Sequence, residues 1–218
     1  MGWSWDFAQQ ILPQLLPGVL ITFEATVLGA VVAAVLGLVL ALLRRARIPV
    51  VSQLVWLFIE FVRSTPLLVQ VYFLYFVLPQ FGITLGSLTV GVIGLGTHYA
   101  TYAAEAYRAG IDGVPRGQWE AATALNLPTT RVWTSVVLPQ AIPRVLPALG
   151  NYVISMFKET PLLLAIGVID LVGAAKEAGA GAYRYVEPYT LAGVLFLVLS
   201  YPAAVLVRRL ERRVEHGK

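Results

Sequence analysis

The 218-residue chain contains no cysteine and only two methionines. Disulfides, thiolate metal sites and cysteine nucleophiles are thereby excluded. Charge is also scarce: 13% of the residues are Asp, Glu, Lys or Arg, against roughly 25% in a soluble domain. None of the three lysines, Lys158, Lys176 and Lys218, follows a G-x-x-x-x-G run. The chain therefore has no loop of that kind to cradle ATP phosphates. No internal repeat is visible, so the inverted-repeat architecture common among secondary transporters gains no support.

What is abundant is apolar. Hydrophobic residues make up 58% of the chain, and mean hydropathy is +0.74. Several apolar runs of about 20 residues are long enough to cross a hydrocarbon core. The composition predicts an all-α, polytopic membrane protein with a single membrane domain over residues 1–218. Five spans fit, over about 17–43, 51–81, 88–109, 143–171 and 188–207. The opening MGWSWDFAQQILPQLLPG has no Lys or Arg. It lacks the basic start of a cleavable signal peptide, and the first span is expected to be retained.

The net charge of +4 is not that of a nucleic-acid binder, because of where the charges fall. Arg44, Arg45 and Arg47 follow the first run, and Arg208, Arg209, Arg212, Arg213 and Lys218 follow the last. Such clustering marks cytoplasmic ends under the positive-inside rule. It puts the N-terminus outside, and segment 110–142 and the C-terminus inside, with Arg108, Arg116, Arg131 and Arg144 on the same side. Arg63, Lys158, Lys176 and Arg184 fall elsewhere. The second span is the least regular: its first half carries Gln53, Glu60, Arg63 and Ser64 and permits an interfacial amphipathic helix that turns inward at Pro66. The outer segment 173–187, GAAKEAGAGAYRYVE, is expected to be a loop.

Segment 110–142 holds an isolated polar stretch, GQWEAATALNLPTT. Pro115 suits a helix start, Glu120 favours the positive end of the helix dipole, and Ala121, Ala122 and Ala124 are strong helix formers. Asn126 suits a left-handed end and Pro128 opposes continuation. Three turns are too few for stability alone in water, so this helix needs a surface to dock on. That surface is either the protein's own cytosolic side or another chain.

The longer stretch GQWEAATALNLPTTRVWTSVVLPQAIPRVLP resembles the EAA loop of ATP-binding cassette (ABC) importer permeases. The residues carrying the likeness are Glu120-Ala121-Ala122, then Val137 before Leu138-Pro139, with Gln140-Ala141 following; Asn126 stands where the family has glycine. EFVRSTPLLVQVYFLYFVLP, TYAAEAYRAGIDGVPRGQWEAA and NYVISMFKETPLLLAIGVIDL are similar to segments of the polar amino-acid (histidine/glutamine/arginine-type) permease subfamily. The resemblance covers nearly the whole chain from about residue 18. It implies a type I importer (MetI-like) permease fold with a coupling loop at about 112–140. It also implies ATPase subunits in separate chains, which hold the ATP and magnesium, while this chain holds no cofactor and catalyses no reaction. Further implied partners are a second permease copy or paralogue and an extracytoplasmic solute-binding protein docking near 171–188, with this chain itself in the bacterial cell membrane. Within the loop, Arg116, Gln118, Glu120 and Arg131 are the expected polar contacts to the ATPase, beside Gly117, Ala121, Ala122 and Asn126. Trp119 and Leu125 are the expected buried anchors.

Polar groups inside spans are costly and mark substrate paths. In the fourth span Asn151, Ser155 and Lys158 recur at i, i+4 and i+7, with Glu159 beside Lys158. Lys158 lies about 21 Å along the helix from Arg144, and the neighbouring ammonium and carboxylate complement a zwitterion. A structural ion pair or a snorkelling lysine is the alternative. In the third span His98 and Thr101 share a face with Glu105 and Arg108, with His98 about 15 Å from Arg108; His98 is either a substrate contact or a satisfied packing residue. Glu105 and Arg108 are expected to lock the inner helix end. Glu60 and Arg63, beside Thr65-Pro66, are assigned a structural or gating role. The expected cargo is a polar amino acid or a similar zwitterion, ectoine-type compatible solutes included. The competing readings are an ion-coupled secondary transporter or channel without an ATPase, and a membrane scaffold that transports nothing.

Overall fold

The computed structural model describes residues 2–46 and 48–216, with side chains through Arg213. Arg47 and Lys218, counted above among the cytoplasmic basic residues, lie outside the described residues. Every regular element is helical among those described. Helix α1 (Trp5–Arg45) begins twelve residues before the expected first span, because Ser4 caps it by accepting from the Phe7 amide at 3.4 Å. With 41 residues it is about 61 Å long.

The expected span 51–81 is two helices rather than one. Helix α2 (Pro49–Ser64) and α3 (Leu67–Tyr72), the latter prolonged by a wide π turn over Phe73–Val77 and a 3-10 turn over Leu78–Phe81, meet at a bend of 105°. Pro66 causes the break, since it disfavours helix at the preceding residue; Thr65 is extended at φ −106°, ψ 139°.

Helix α4 (Ser87–Asp112) packs along α1. Small residues make the approach close: a Cβ at Gly37 would sit 2.7 Å from the Ala103 Cβ, and one at Gly96 would sit 2.5 Å from a Val32 methyl. Lipid tails supply no hydrophobic drive for helices to meet, so backbone proximity of this kind is how membrane helices adhere. The core between them contains Ala25, Ala33, Leu95, Tyr99 and Met156, joined by Val71 of α3 and Leu163.

Helix α5 (Arg116–Ala124) is the short polar helix expected on the cytosolic side. A turn of helix α6 (Thr129–Arg131) and a π turn (Val132–Val137) then lead into α7 (Leu138–Glu159), which continues as a 3-10 turn over Thr160–Ile166. The expected fourth span therefore starts five residues early and narrows after Glu159, where Pro161 intervenes.

The expected outer loop is instead helix α8 (Leu171–Ala182). Its many alanines favour helix, and Asp170 caps it by accepting from the Gly173 amide at 2.9 Å. Two of the glycines that suggested a loop sit against neighbours: a Cβ at Gly179 would lie 2.7 Å from the Tyr185 ring and one at Gly173 would lie 3.2 Å from a Leu164 methyl, while on the facing α1 a Cβ at Gly18 would meet the Asp170 carbonyl oxygen at 2.6 Å and the Ala174 Cβ at 2.9 Å. The Asp170 carboxylate also accepts from Thr160 at 3.1 Å, and the Leu171 amide donates to Thr22 at 3.2 Å. One buried network thus joins α1, α8 and the end of α7. Helix α9 (Val186–His216) closes the bundle against α7 and α8.

Helices α1 and α9 are each long and apolar enough to cross a membrane, and the bent α2–α3 pair qualifies if taken as one span. Helices α4 and α7 have 26 and 22 residues, sufficient length for a crossing. Polar side chains such as His98, Glu105, Asn151 and Lys158 keep them below that apolar standard. Helix α4 packs on both α1 and α7, so its polar groups have protein around them.

Candidate functional site

The loop expected to couple is built outward from the end of α4. Arg45 of α1 pairs with Asp112, Arg108 reaches Asp112 at 3.5 Å, and the Arg108 Nε donates to Glu105 at 3.1 Å. Arg144 of α7 donates to the Gly113 carbonyl. Ion pairs and a charge-assisted hydrogen bond therefore fix the stem from three helices. Pro115 stands one position before the first helical residue, Arg116, and α5 ends as a Schellman turn. Asn126 takes φ 48°; its amide donates to Thr123 at 2.9 Å, and the Leu127 amide donates to Ala122 at 3.1 Å. The expected left-handed end at Asn126 is thus present.

The helix has two unlike faces. Trp119 packs edge-on against Trp133 at 5.6 Å, Ala122 is buried, and Gln118 accepts from Gln140 at 3.4 Å. These residues seat α5 on a small core of Ile111, Val114, Val137 and Ala141. Trp119, expected as an anchor in a partner, is therefore already engaged within the chain. Arg116, Gly117, Glu120, Ala121, Asn126 and Arg131 are exposed, and Leu125 is 72% exposed.

The residues expected along the substrate path divide into groups. His98 receives the Gln70 amide nitrogen at 3.2 Å and packs its ring on Tyr99 and Tyr102, at 5.5 and 5.4 Å. Tyr152 of α7 completes a triangle with these two tyrosines, at 6.1 and 5.9 Å. Ser155 and Glu159 lie against Tyr99, and one buried Glu159 oxygen, Oε2, has no hydrogen-bond partner. Arg63 lies over the Tyr102 ring at 4.9 Å, and no ion pair joins it to Glu60 among the described residues. A polar and aromatic seam thus runs between α2, α4 and α7.

Three expected path residues lie elsewhere. Thr101 is fully buried and its hydroxyl donates to the His98 carbonyl at 2.6 Å, so the helix itself uses it. Asn151 donates to Glu211 of α9 at 3.0 Å. Lys158 opens into a 420 Å³ cleft beside Phe196, Leu197 and Ser200. Successive residues on a helix point about 100° apart, which sends Lys158 to α9 while Glu159 faces α4. The two side chains thus face different elements. The tyrosines, Gln70 and the stacked Arg63 were absent from the expected site; the only sequence signal was Tyr99 and Tyr102 on neighbouring turns of one polar helix.

At the N-terminal end of α1, Glu187 accepts from the Ser4 amide at 3.0 Å and pairs with Arg184, which also donates to the Gly2 carbonyl at 3.0 Å. The start of α1 is thereby latched to the start of α9.

Comparison with known proteins agrees with this architecture. The chain is 44% identical over 214 residues to a probable amino-acid ABC transporter permease protein of Sinorhizobium fredii, covering 95% of this chain and 93% of the relative. It is 32% identical to the glutamine transport system permease protein of Escherichia coli, over 99% of both chains. Among solved structures, an amino acid ABC transporter superposes with a TM-score of 0.91 at 35% identity, covering 98% of this chain and 100% of that one. The methionine ABC transporter MetNI, captured inward-facing, shares the fold with a TM-score of 0.77 at 21% identity, over 94% and 98% of the two chains. Residues 33–216 match the model of the binding-protein-dependent transport system inner membrane component, and the chain belongs to that family.

Proposed function

We propose that this chain is the permease subunit of an ABC importer that carries polar amino acids or amino-acid-like zwitterions, ectoine-type compatible solutes included, into the cytoplasm. The observation that carries this reading is the two-faced helix α5. It is seated on its own chain by Trp119 and Ala122, while Arg116, Gly117, Glu120, Ala121 and Leu125 remain exposed. A cytosolic ATPase subunit, which binds the ATP and magnesium, fits over that free face, with Arg131 and Asn126 at its edge. A second permease copy or paralogue completes the membrane part, and an external solute-binding protein delivers cargo near residues 171–188. The N-terminus lies outside and the C-terminus in the cytoplasm. Along the path, His98, Ser155 and Glu159 meet the cargo beside the three tyrosines.

Co-purification with the candidate ATPase, reconstitution into liposomes and measurement of amino-acid uptake with and without ATP test this reading. Uptake that requires ATP is expected. Uptake driven by an ion gradient alone would instead establish the secondary-transporter reading.

A further inference from the structure

Gln70 sits at the break between α2 and α3, and its side chain does two things at once. Its amide nitrogen lies 2.7 Å from the Val62 carbonyl, 3.0 Å from the Thr65 carbonyl and 2.9 Å from the Thr65 hydroxyl. These groups border the extended Thr65, where the helix leaves its carbonyls without their usual partners. The same nitrogen lies 3.2 Å from His98 Nδ1. Two carbonyl oxygens accept but never donate, so the nitrogen of the amide, and not its oxygen, must face this cluster. An amide nitrogen in turn donates and does not accept. A proton on His98 Nδ1 would therefore point at a group unable to receive it. The ring proton is confined to Nε2, which no hydrogen bond among the described residues engages.

We propose that Gln70 is a positioning residue: it holds His98 in the Nε2–H tautomer, as a hydrogen-bond donor for a substrate carboxylate, and ties that state to the geometry of the Thr65–Pro66 bend. The donor half rests on the reading of His98 as part of the substrate path. If the bend straightens during transport, the carbonyls of Val62 and Thr65 move and the Gln70 amide goes with them. His98 is then released to exchange tautomers. The bend and the donor are coupled through one side chain.

The chain has two histidines, which makes the test spectroscopic. The full permease is labelled with 15N-histidine, embedded in lipid nanodiscs and compared with H216N to assign the two rings. Wild type is expected to show His98 with Nδ1 bare and Nε2 protonated, and Q70L to show a mixture of tautomers. A wild-type His98 protonated at Nδ1 would overturn the proposal without recourse to any variant, as would a tautomer unchanged in Q70L. Uptake of a radiolabelled mixture of L-amino acids by the reconstituted transporter reads the second half. Loss of one hydrogen bond to a charged group is expected to raise KM about tenfold in Q70L with a smaller change in kcat, and H98A is expected to match it. If H98A transports as wild type does, His98 is off the path and the donor role fails, even where the tautomer result stands.

Discussion

At Asn126 a single backbone angle decides how α5 ends. The residue holds φ 48°, where glycine meets no steric penalty and a β-branched side chain is strained. N126G should therefore preserve ATP-coupled uptake, whereas N126V should cost about 1–2 kcal/mol locally and weaken coupling. ATPase activity stimulated by the permease, measured for both, checks this. E120A removes an exposed carboxylate from the free face of α5 and should uncouple uptake from ATP while membrane insertion stays normal. Asn126 was legible in the sequence because capping is local chemistry, set by residues within one turn. The seam was not, because Tyr152 meets Tyr99 and Tyr102, and Arg63 meets Tyr102, across large separations in the chain. Lys158 and Glu159 are adjacent in the chain, but the helix angle sends them to different neighbours.

The elements show the same division between local and distant causes. The bend at Thr65-Pro66 follows from proline sterics and was open to inspection. Helix α8 was not, since glycine and alanine suit either a mobile loop or a helix wedged between close neighbours, and Gly18 of α1 decides between them. Contact at backbone distance also makes α1 and α4 sensitive to bulk. G37L must place a side chain where Cβ alone already lies 2.7 Å from Ala103 and 2.9 Å from the Ala100 carbonyl oxygen. A loss of about 1–3 kcal/mol or more is expected, visible as a lower melting temperature in detergent. On α5, W119A removes the half-buried ring that packs edge-on against Trp133. It should loosen the helix by about 2 kcal/mol, less than the 3–5 kcal/mol of a fully buried aromatic. Co-purification with the ATPase should fall, although Trp119 is not part of the free face.

For the whole molecule, the all-helical fold and the family could be anticipated, because apolar runs and ordered motifs extend along the chain. How the ends of the bundle are fastened could not. The N-terminal end of α1 is tied to α9 by Ser4, Arg184 and Glu187, and its C-terminal end is tied to the stem below α5 by Arg45 and Asp112. The helix between these fastenings is about 61 Å long, twice the roughly 30 Å of a hydrocarbon core. A rod of that length, held at both ends, accommodates a thinner or thicker bilayer mainly by changing its tilt, and a change of tilt displaces the stem of α5. ATP-driven uptake is therefore expected to depend on membrane thickness. In proteoliposomes of graded acyl-chain length, ATP-driven uptake should pass through a maximum and fall on either side of it, by the modest energies that hydrophobic mismatch supplies.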